Sequence, residues 1–322
     1  MEISHESHSD MKKKRGQHKR VGLVLSAGGL RGLYAHTGFM QAVQKAGMPF
    51  NCMAGCSAGA IIATCHAAGL SPDTIEREVC KLRRRDFYHP RGWLNLLTSL
   101  IFRRGRGFTG LSLTDGMVEN LKRVLPVKSF SECSLPLSLI AVNLDKGEKE
   151  TLKDGELAPA AAASAAIPYF YEPVCIDGAL YCDGGAYERT PKEAICCRHH
   201  LDLLIVHEIG TDELDEETRD FHRRDWPILR LAGRLFYTWL RTPRSYGLSE
   251  EVCACGCGAI IITMRPELPI LGQDESAKAG VILHAARKQA SQHFKTIYDP
   301  VSGWNQQQIT VQPRSCSQKE TI

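Results

Sequence analysis

The sequence predicts an α/β fold in which the central strands run parallel. Residues 21–26 form a continuous apolar run of the buried-strand type, and a Gly-rich turn and a helical stretch follow directly. Residues 50–69 repeat this layout, with a short apolar run, a tight turn and a second helical stretch. Strands that alternate with helices in this way are typical of a parallel sheet. Further buried-strand runs lie at 135–143, 201–209 and 257–264.

The remaining elements are predicted from capping signals and local composition. Ser71-Pro72-Asp73 carries the signals that begin a helix, which we expect to run to about residue 85. An alanine-rich helix over 158–167 would approach the sheet closely because its side chains are small. Asp177-Gly178 predicts the turn of a hairpin between residues 174 and 181. Other helices are expected over 33–47, 113–125 and 275–298.

Composition is that of a globular protein with polar ends. Of the 322 residues, 43% are hydrophobic and 24% are charged. The net charge of +4 is unevenly distributed, because residues 12–20 contain several Lys and Arg and no acidic residue. We expect residues 1–20 to be a basic disordered arm and residues 301–322 to be a polar tail. Such an arm could touch anionic lipid or nucleic acid, but a solvated tail is favoured and no nucleic-acid partner is expected.

The 13 cysteines lack the framework of a small disulfide-rich protein, so we expect reduced thiols and a cytoplasmic location. Cys253, Cys255 and Cys257 alternate by two and would face the same side of a strand. Cys196 and Cys197 are the candidates to join them in space. Because the spacing is not C-x-x-C, a thiol-rich core strand is favoured over a metal site, and neither a metal nor a cofactor is predicted.

A nucleophile elbow is predicted at Gly55-Cys56-Ser57-Ala58-Gly59, a G-x-S-x-G pattern between a strand and a helix. The glycines two positions either side of Ser57 leave room for a sharp turn that lifts its hydroxyl out of the backbone. The turn would also place Ser57 at a helix N-terminus, where unpaired N–H groups favour a developing negative charge. Taken alone, the pattern is as typical of an ordinary tight turn. The choice between a turn and a nucleophile elbow therefore depends on the neighbouring motifs.

The Gly-rich segment after the first strand admits three interpretations. A dinucleotide fingerprint would need a glycine where Ala27 stands and an acid about 20 residues later, where the elbow lies instead. A phosphate loop of the G-x-x-x-x-G-K-[ST] kind is absent. The third is an oxyanion hole, in which backbone N–H groups steadied by an arginine face the carbonyl oxygen of a substrate. Its candidate residues are Ala27, Gly28, Gly29, Arg31 and Gly32.

An acid that could activate a serine lies in Asp183-Gly184-Gly185, after the second arm of the predicted hairpin. Asp-Gly pairs commonly mark turns, and we interpret Asp177 as a turn residue and Asp183 as the base. Histidines also follow in the chain, but none lies in a setting that marks it as the base. They are His199, His200, His207, His222, His284 and His293.

In this order the motifs resemble those of the patatin-like phospholipase family. The resemblance implies a three-layer α/β/α sandwich with a mainly parallel central sheet, in a hydrolase domain over 21–300. It also implies a Ser–Asp dyad without a histidine, with Ser57 as the nucleophile and Asp183 as the base, and makes the Gly-rich segment the oxyanion loop. The matching blocks are residues 25–32 with His36 and Gly38, the elbow, residues 163–168, and Asp183-Gly184-Gly185.

Two positions depart from the family's pattern. Ala27 stands where the family usually has the first glycine of the loop, although its N–H would still serve as an oxyanion donor. Arg189 stands where the family commonly has an asparagine before a proline, here Pro191. The second departure bears on how the Asp183 loop is anchored.

Two segments rich in tryptophan and arginine suggest contact with a bilayer. Residues 91–106 and 223–244 each combine Trp, Leu and Arg in an amphipathic pattern. For each segment alone, a helix packed on the domain with its arginines reaching solvent is the favoured interpretation. Peripheral contact at the inner face of the membrane is the alternative. No apolar run reaches the ~18 residues that a spanning helix needs.

The predicted function is hydrolysis of a lipid acyl ester, of the phospholipase, lysophospholipase or carboxylesterase type. These substrates require the same serine chemistry, so the residues do not select among them. The alternative is a lipid-binding or scaffold protein with a weak or dead site, which Ala27 and Arg189 favour and the intact Ser57 and Asp183 motifs oppose. A nucleotide-binding enzyme is a third alternative, disfavoured by the missing acid.

Overall fold

The computed structural model describes the chain in eight ranges. The basic arm up to residue 18 and both amphipathic segments, 91–106 and 223–244, lie outside the described residues. None of the described helices is both long enough and apolar enough to cross a membrane. The described ranges are 19–82, 89–90, 110, 112–196, 198–210, 246–255, 257–269 and 275–305, with the backbone alone at 89–90 and 275–278.

A mixed sheet lies at the centre of the fold. The described strands are β1 (Val21–Leu25), β2 (Cys52–Cys56), β3 (His89–Pro90), β4 (Ser112–Leu113), β5 (Leu137–Asn143), β6 (Glu148–Leu152), β7 (Val174–Ile176), β8 (Ala179–Asp183), β9 (Leu203–His207), β10 (Gly247–Val252), β11 (Ile260–Arg265), β12 (Tyr298–Asp299) and β13 (Gly303–Trp304). Within these described ranges, nine strands form the central sheet in the order β10-β11-β9-β1-β2-β5-β8-β7, with β6 paired to β5, and two small sheets pair β3 with β4 and β12 with β13. The five central strands, from β11 to β5, run parallel to one another, and the pairings outside them are antiparallel.

The helices lie close to their predicted positions. Ser71 caps the third helix through its side chain, which accepts a hydrogen bond from the N–H of Thr74. The first helix begins earlier than predicted, at Gly29, so most of the Gly-rich segment is helical. The described helices are α1 (Gly29–Ala46), α2 (Ala58–Ala67), α3 (Pro72–Lys81), α4 (Asp115–Val124), α5 (Leu157–Ala165) and α6 (Glu275–Ile297).

The two faces of the sheet are covered by different layers. On one face Leu23 of β1 belongs to the core that includes the buried sides of α1, α2, α5 and α6. On the other face Val24 belongs to a second core with Ile195, Leu201 and Ala259. The first two of these lie between β8 and β9, and Ala259 directly precedes β11. The alternation of neighbouring strand residues between faces produces these two cores. The predicted α/β/α sandwich with a mainly parallel sheet is confirmed.

Three segments that carry the predicted site meet at one edge of the sheet. β1 and β2 pair in parallel up to Gly55, so the Gly-rich segment and the elbow leave neighbouring strands side by side. Strand β5 aligns the elbow with the acid, because Cys56 pairs with Ile140 and Asp183 pairs with the next residue, Ala141. The strand register therefore brings together residues that are far apart in the chain.

Two expectations about chain ends and turns are corrected. Gly303–Trp304 pairs with Tyr298–Asp299, and the Trp304 side chain is buried, so the chain stays in the fold past residue 300. The alternating cysteines do not lie in a strand. They lie in the loop that joins β10 to β11, because β11 begins only at Ile260 and the chain turns through Gly258 at a φ of 76°.

Candidate active site

The backbone at Ser57 has the strained conformation that a nucleophile elbow requires. Its φ is 54° and its ψ is −120°, a region that residues other than glycine rarely adopt, and helix α2 begins at the next residue. A Cβ at Gly55 would lie 2.6 Å from the carbonyl oxygen of Gly59. A Cβ at Gly59 would collide with the carbonyl of Leu25. The two glycines therefore make the turn sterically accessible.

Ser57 and Asp183 are joined by a buried hydrogen bond. The Ser57 hydroxyl donates to Oδ2 of Asp183 at 2.7 Å, and both residues are 5% exposed. The second carboxylate oxygen, Oδ1, accepts the N–H of Gly185 at 2.7 Å. The Asp183 N–H donates to the carbonyl of Ala166, which fixes the backbone from the other side. The carboxylate is thus held in a single orientation toward the serine.

The environment of Asp183 sets its proton affinity. Burial raises the pKa of Asp183 from 3.8 to about 6, while the hydrogen bonds from Ser57 and Gly185 and the charge of Arg189 lower it in part. A carboxylate with this pKa is ionised at neutral pH, yet it is more basic than an exposed aspartate. It is therefore suited to accept the proton of an attacking hydroxyl.

The backbone of Ser57 is held by Ser164, a residue for which the sequence suggested no role. The Ser57 N–H donates to the Ser164 hydroxyl oxygen at 3.1 Å, and that hydroxyl donates to the carbonyl of Ile140 at 2.6 Å. Ser164 is fully buried in α5, where almost every neighbour is alanine. A lone polar residue in an apolar helix was the available signal, because a buried hydroxyl needs a partner.

Replacing Ser164 with alanine is expected to destabilise the protein by about 1–3 kcal/mol, because the buried N–H of Ser57 loses its acceptor. The strained elbow would also relax, and kcat for ester hydrolysis should fall. Urea unfolding and steady-state kinetics measure the two effects, with Ser131→Ala on an exposed turn as the control. Unchanged stability together with an unchanged kcat would contradict this role for Ser164.

The N-terminus of α1 supplies backbone donors beside the elbow. The helix begins at Gly29, so its first N–H groups have no acceptor within the helix. Among the described residues, the N–H groups of Gly28 and Gly29 donate to no protein acceptor. Gly29 has a φ of 56°, which glycine adopts without strain. These two N–H groups can therefore receive the oxygen of a substrate.

Two other predicted members of the oxyanion loop have different roles. The N–H of Ala27 donates to the carbonyl of Arg189 at 2.8 Å, so the prediction that it serves as an oxyanion donor is corrected. The Gly32 N–H makes a helical bond to the carbonyl of Gly28. A Cβ at Gly32 would lie 3.0 Å from the Cβ of Ala58, so this glycine lets α1 pack against the elbow. Arg31 is buried in the first turn of the same helix.

The Gly-rich segment also contacts the loop that carries the acid. A Cβ at Gly185 would lie 3.2 Å from the Cβ of Ala27, and one at Gly184 would collide with the carbonyl of Ile140. Glycine at both positions therefore allows the Asp183 loop to sit against its neighbours. A serine, a carboxylate and two N–H donors are gathered at one edge of the sheet, an arrangement that suits acyl transfer.

Comparison with known proteins identifies the family to which the chain belongs. A family model described as "Patatin-like phospholipase" matches residues 23–194. The chain belongs to the patatin-like phospholipase family. The matched region includes the elbow, the acid and the Gly-rich segment.

Relatives of this patatin-like protein occur in bacteria and animals. An uncharacterized NTE family protein of Mycobacterium tuberculosis is 29% identical over 198 residues, which cover 60% of this chain and 50% of that protein. The human patatin-like phospholipase domain-containing protein 6 is 26% identical over 219 residues, which cover 65% of this chain and 15% of that protein. The match thus spans about half the length of the mycobacterial relative.

Solved structures similar to this patatin-like protein include two proteins of low sequence identity. VipD from Legionella pneumophila has a TM-score of 0.48 at 15% identity, over 87% of this chain and 67% of that chain. Human GIVD cytosolic phospholipase A2 has a TM-score of 0.49 at 9% identity, over 87% of this chain and 62% of that chain.

Arg189, a departure from the patatin-like pattern, joins the acid loop to the Gly-rich segment. Its Nη2 donates to the carbonyl of Ala27 at 3.1 Å and to that of Ile209 at 3.3 Å. Its own carbonyl accepts the N–H of Ala27. The two departures therefore contact each other, and Arg189 fixes the backbone just before Gly28 and Gly29, the candidate oxyanion donors.

Replacing Arg189 with alanine is expected to lower kcat by about 10- to 100-fold with little change in KM, because a small displacement of the donors weakens transition-state binding. The acidic limb of the pH–rate profile should also move to higher pH, since the charge of Arg189 lowers the pKa of Asp183. Arg189→Lys, which keeps the charge without the planar fork, should retain the acidic limb but not the full rate. A change in stability with kcat and the profile unchanged would show a purely structural residue.

The histidine of a conventional triad is absent from the described surroundings of the serine. His207 stacks on Phe39 with 4.3 Å between ring centroids, and its Nδ1 lies 2.8 Å from Nδ1 of His36. His36 Nε2 donates to the carbonyl of Ser26, so its Nδ1 is the acceptor and His207 the donor. Burial lowers the pKa of His36 to about 4 and that of His207 well below its usual range. Both rings are neutral structural groups of the patatin-like core.

Proposed function

We propose that this patatin-like protein hydrolyses carboxylic ester bonds of acyl lipids, with Ser57 as the nucleophile and Asp183 as the general base. The observation that carries the proposal is the 2.7 Å hydrogen bond between the Ser57 hydroxyl and the buried carboxylate of Asp183. Membership in the patatin-like phospholipase family supports a lipid hydrolase.

The first half of the reaction forms an acyl-enzyme. Ser57 Oγ attacks the ester carbonyl while its proton passes to Oδ2 of Asp183. The carbonyl oxygen becomes an oxyanion that accepts hydrogen bonds from the N–H groups of Gly28 and Gly29. As the tetrahedral intermediate collapses, the bond to the alcohol oxygen breaks, and Asp183 returns the proton to that oxygen. The alcohol leaves, and the acyl group stays on Ser57.

The second half repeats these steps with water. A water molecule attacks the acyl carbonyl while Asp183 accepts one of its protons. The bond to Ser57 Oγ then breaks, Asp183 gives the proton back to Ser57, and the free acid departs. One oxyanion donor is typically worth ~3 kcal/mol of the barrier, and the α1 N-terminus adds the favourable end of the helix dipole.

Lipid esters are favoured over other esters as substrates because of the relatives' names. One relative is named "Lysophospholipase NTE1" from Cryptococcus neoformans and is 24% identical over 204 residues, which cover 63% of this chain and 12% of that protein. Contact with a bilayer through residues 91–106 and 223–244, and a position at the inner face of the membrane, stay predictions of the sequence. Both would bring the site to its substrate.

A lipid-binding or scaffold protein with a weak or dead site is the second candidate. The observation in its favour is that the Ala27 N–H is already bonded to Arg189, which leaves one donor fewer at the expected oxyanion hole. The intact dyad argues against it, because the hydrogen bond between Ser57 and Asp183 has the geometry of a working pair.

Reaction with a fluorophosphonate probe separates the two candidates. The native protein should form a phosphonyl adduct that peptide mass spectrometry locates at Ser57, while protein denatured beforehand should not react. Hydrolysis of p-nitrophenyl butyrate, followed by phospholipid and lysophospholipid vesicles, then defines the ester class. A native protein that neither reacts with the probe nor releases nitrophenol would support the scaffold and overturn the hydrolase.

A further inference from the structure

Four cysteine sulfurs gather at a place that the proposed reaction does not use. The sulfur atoms of Cys196, Cys253, Cys255 and Cys257 all lie within 4.8 Å of one another. Cys253 lies 2.9 Å from Cys255 and 3.3 Å from Cys196, and Cys196 lies 3.5 Å from Cys255. Two segments of the chain thus bring their thiols to one point, although Cys196 and Cys253 are 57 positions apart in the sequence.

The sulfur spacing is in the range that a single tetrahedral ion can bridge. Zinc–thiolate bonds of ~2.3 Å place the sulfurs of a tetrahedral site about 3.8 Å apart. The three shorter sulfur–sulfur distances, 2.9, 3.3 and 3.5 Å, lie below that value and well above the ~2.05 Å of a disulfide bond, and all four sulfurs lie within 4.8 Å of one another. The described cysteines are accordingly thiols rather than disulfides. An iron–sulfur cluster would need more room, since its inorganic core lies between the thiolates.

The ligand set selects the kind of metal. Four thiolates are soft ligands that suit zinc, whereas magnesium and calcium require oxygen ligands. A complete set of four protein ligands leaves no open position, which is typical of structural rather than catalytic zinc. The expectation of a thiol-rich strand rested on placing the 253–257 cysteines in a strand. The loop between β10 and β11 instead folds them toward Cys196.

The placement provides both a rigid base and an entry path. Cys196 and Cys253 are buried in the second core, against residues such as Leu201 and Ala259, while Cys255 and Cys257 are exposed. The two segments also touch beside the cluster, where the Lys192 ammonium contacts the Glu251 carboxylate at 2.5 Å. Half of the site is thus preorganised by the core, and the other half faces the solvent from which a metal ion would arrive.

We propose that Cys196, Cys253, Cys255 and Cys257 form a structural zinc site. Zinc bound there joins the β10–β11 hairpin at the edge of the sheet to the segment that follows the candidate acid. Arg189 and Asp183 lie on that same segment, upstream of Cys196. The metal therefore stabilises the loops beside the active site without contacting a substrate.

Metal analysis of the full chain, purified with a reductant and without chelators, tests the site. Inductively coupled plasma mass spectrometry should find about one zinc per chain. The double variant Cys255→Ser/Cys257→Ser should lose that zinc, because it removes the two exposed ligands and leaves the buried core intact. The matched control Cys80→Ser/Cys175→Ser removes two exposed thiols outside the cluster and should retain zinc.

Two further measurements keep the test decisive if the variant folds poorly. Cobalt added to the wild-type protein should give the charge-transfer and d–d absorption of a tetrahedral thiolate site. A strong chelator should lower the Tm of the wild type and of the control, but not that of the ligand variant. Zinc that is absent both after purification and after reconstitution, equal zinc in the two double variants, or a disulfide among these cysteines under reducing conditions would overturn the proposal.

Discussion

Replacing Ser57 with alanine is expected to reduce kcat/KM for ester hydrolysis by at least about 10³-fold, because the acyl-enzyme can no longer form. The remaining rate would come from substrate binding and the oxyanion donors of Gly28 and Gly29. The loss corresponds to about 4 kcal/mol of transition-state stabilisation. Initial rates with p-nitrophenyl butyrate and with lysophospholipid measure it, and the fluorophosphonate adduct should disappear in the same variant.

The matched control is Ser131→Ala, which changes an exposed serine far from the elbow in sequence. Its rate and its probe adduct should equal those of the wild type. Binding of substrate vesicles by the Ser57 variant should persist, since the substitution removes one oxygen atom. Full esterase activity in Ser57→Ala would exclude Ser57 as the nucleophile and would show that another group attacks the ester carbonyl.

Replacing Asp183 with asparagine is expected to lower kcat by about 10³- to 10⁴-fold while leaving the fold intact, a loss comparable to that caused by disabling the acid in other serine hydrolases. An amide oxygen can still accept the Gly185 N–H, and the amide nitrogen can face Ser57, so the geometry survives. The amide cannot accept the serine proton. Steady-state kinetics and circular dichroism together distinguish this result from unfolding.

The pH profile tests the same assignment in the wild type. Because Asp183 must be ionised to act as a base and its pKa is about 6, kcat/KM should rise with pH through about 6 and then level off. Below pH 6 the rate should fall about tenfold per pH unit. The Asp183→Asn variant should lack this limb, and an acidic limb of the same midpoint in that variant would assign it to another group.

The ionised, buried carboxylate of Asp183 is also expected to lower the free energy of unfolding. Burial raises the folded-state pKa of Asp183 above 3.8, so its protonation contributes stability that is complete below about pH 4 and lost as the pH rises through about 6. At pH 8 the Asp183→Asn variant should therefore be more stable than the wild type, by at most about 3 kcal/mol. Urea unfolding at pH 8 and at pH 5 checks the sign, and the advantage should shrink at the lower pH.

Local motifs gave the sequence much of its predictive power. A G-x-S-x-G turn depends on the sterics of neighbouring residues. Gly55 and Gly59 were therefore enough to predict the elbow, and no distant contact had to be known. The helix cap at Ser71 and the turn at Asp177 are local in the same sense. The order of strand, Gly-rich turn and helix was enough to predict the parallel centre of the sheet.

Contacts between segments that are distant in the chain could not be predicted from the sequence. Ser164 lies 107 residues from Ser57, and only the packing of α5 against the elbow shows that it holds the backbone of the candidate nucleophile. The N–H of Ala27 was expected to face a substrate, but the folded chain gives it the carbonyl of Arg189, 162 residues away. No period or spacing in the sequence records such a pairing.

The sequence by itself determined the elements, the family resemblance and the candidate pair Ser57 and Asp183. The tertiary structure alone decided which histidines are buried against each other, which N–H groups stay available, and that four cysteines converge on one point. The reason is physical: local conformation depends on adjacent residues, whereas a hydrogen bond or a metal site depends on where the sheet register places segments that are remote in the chain.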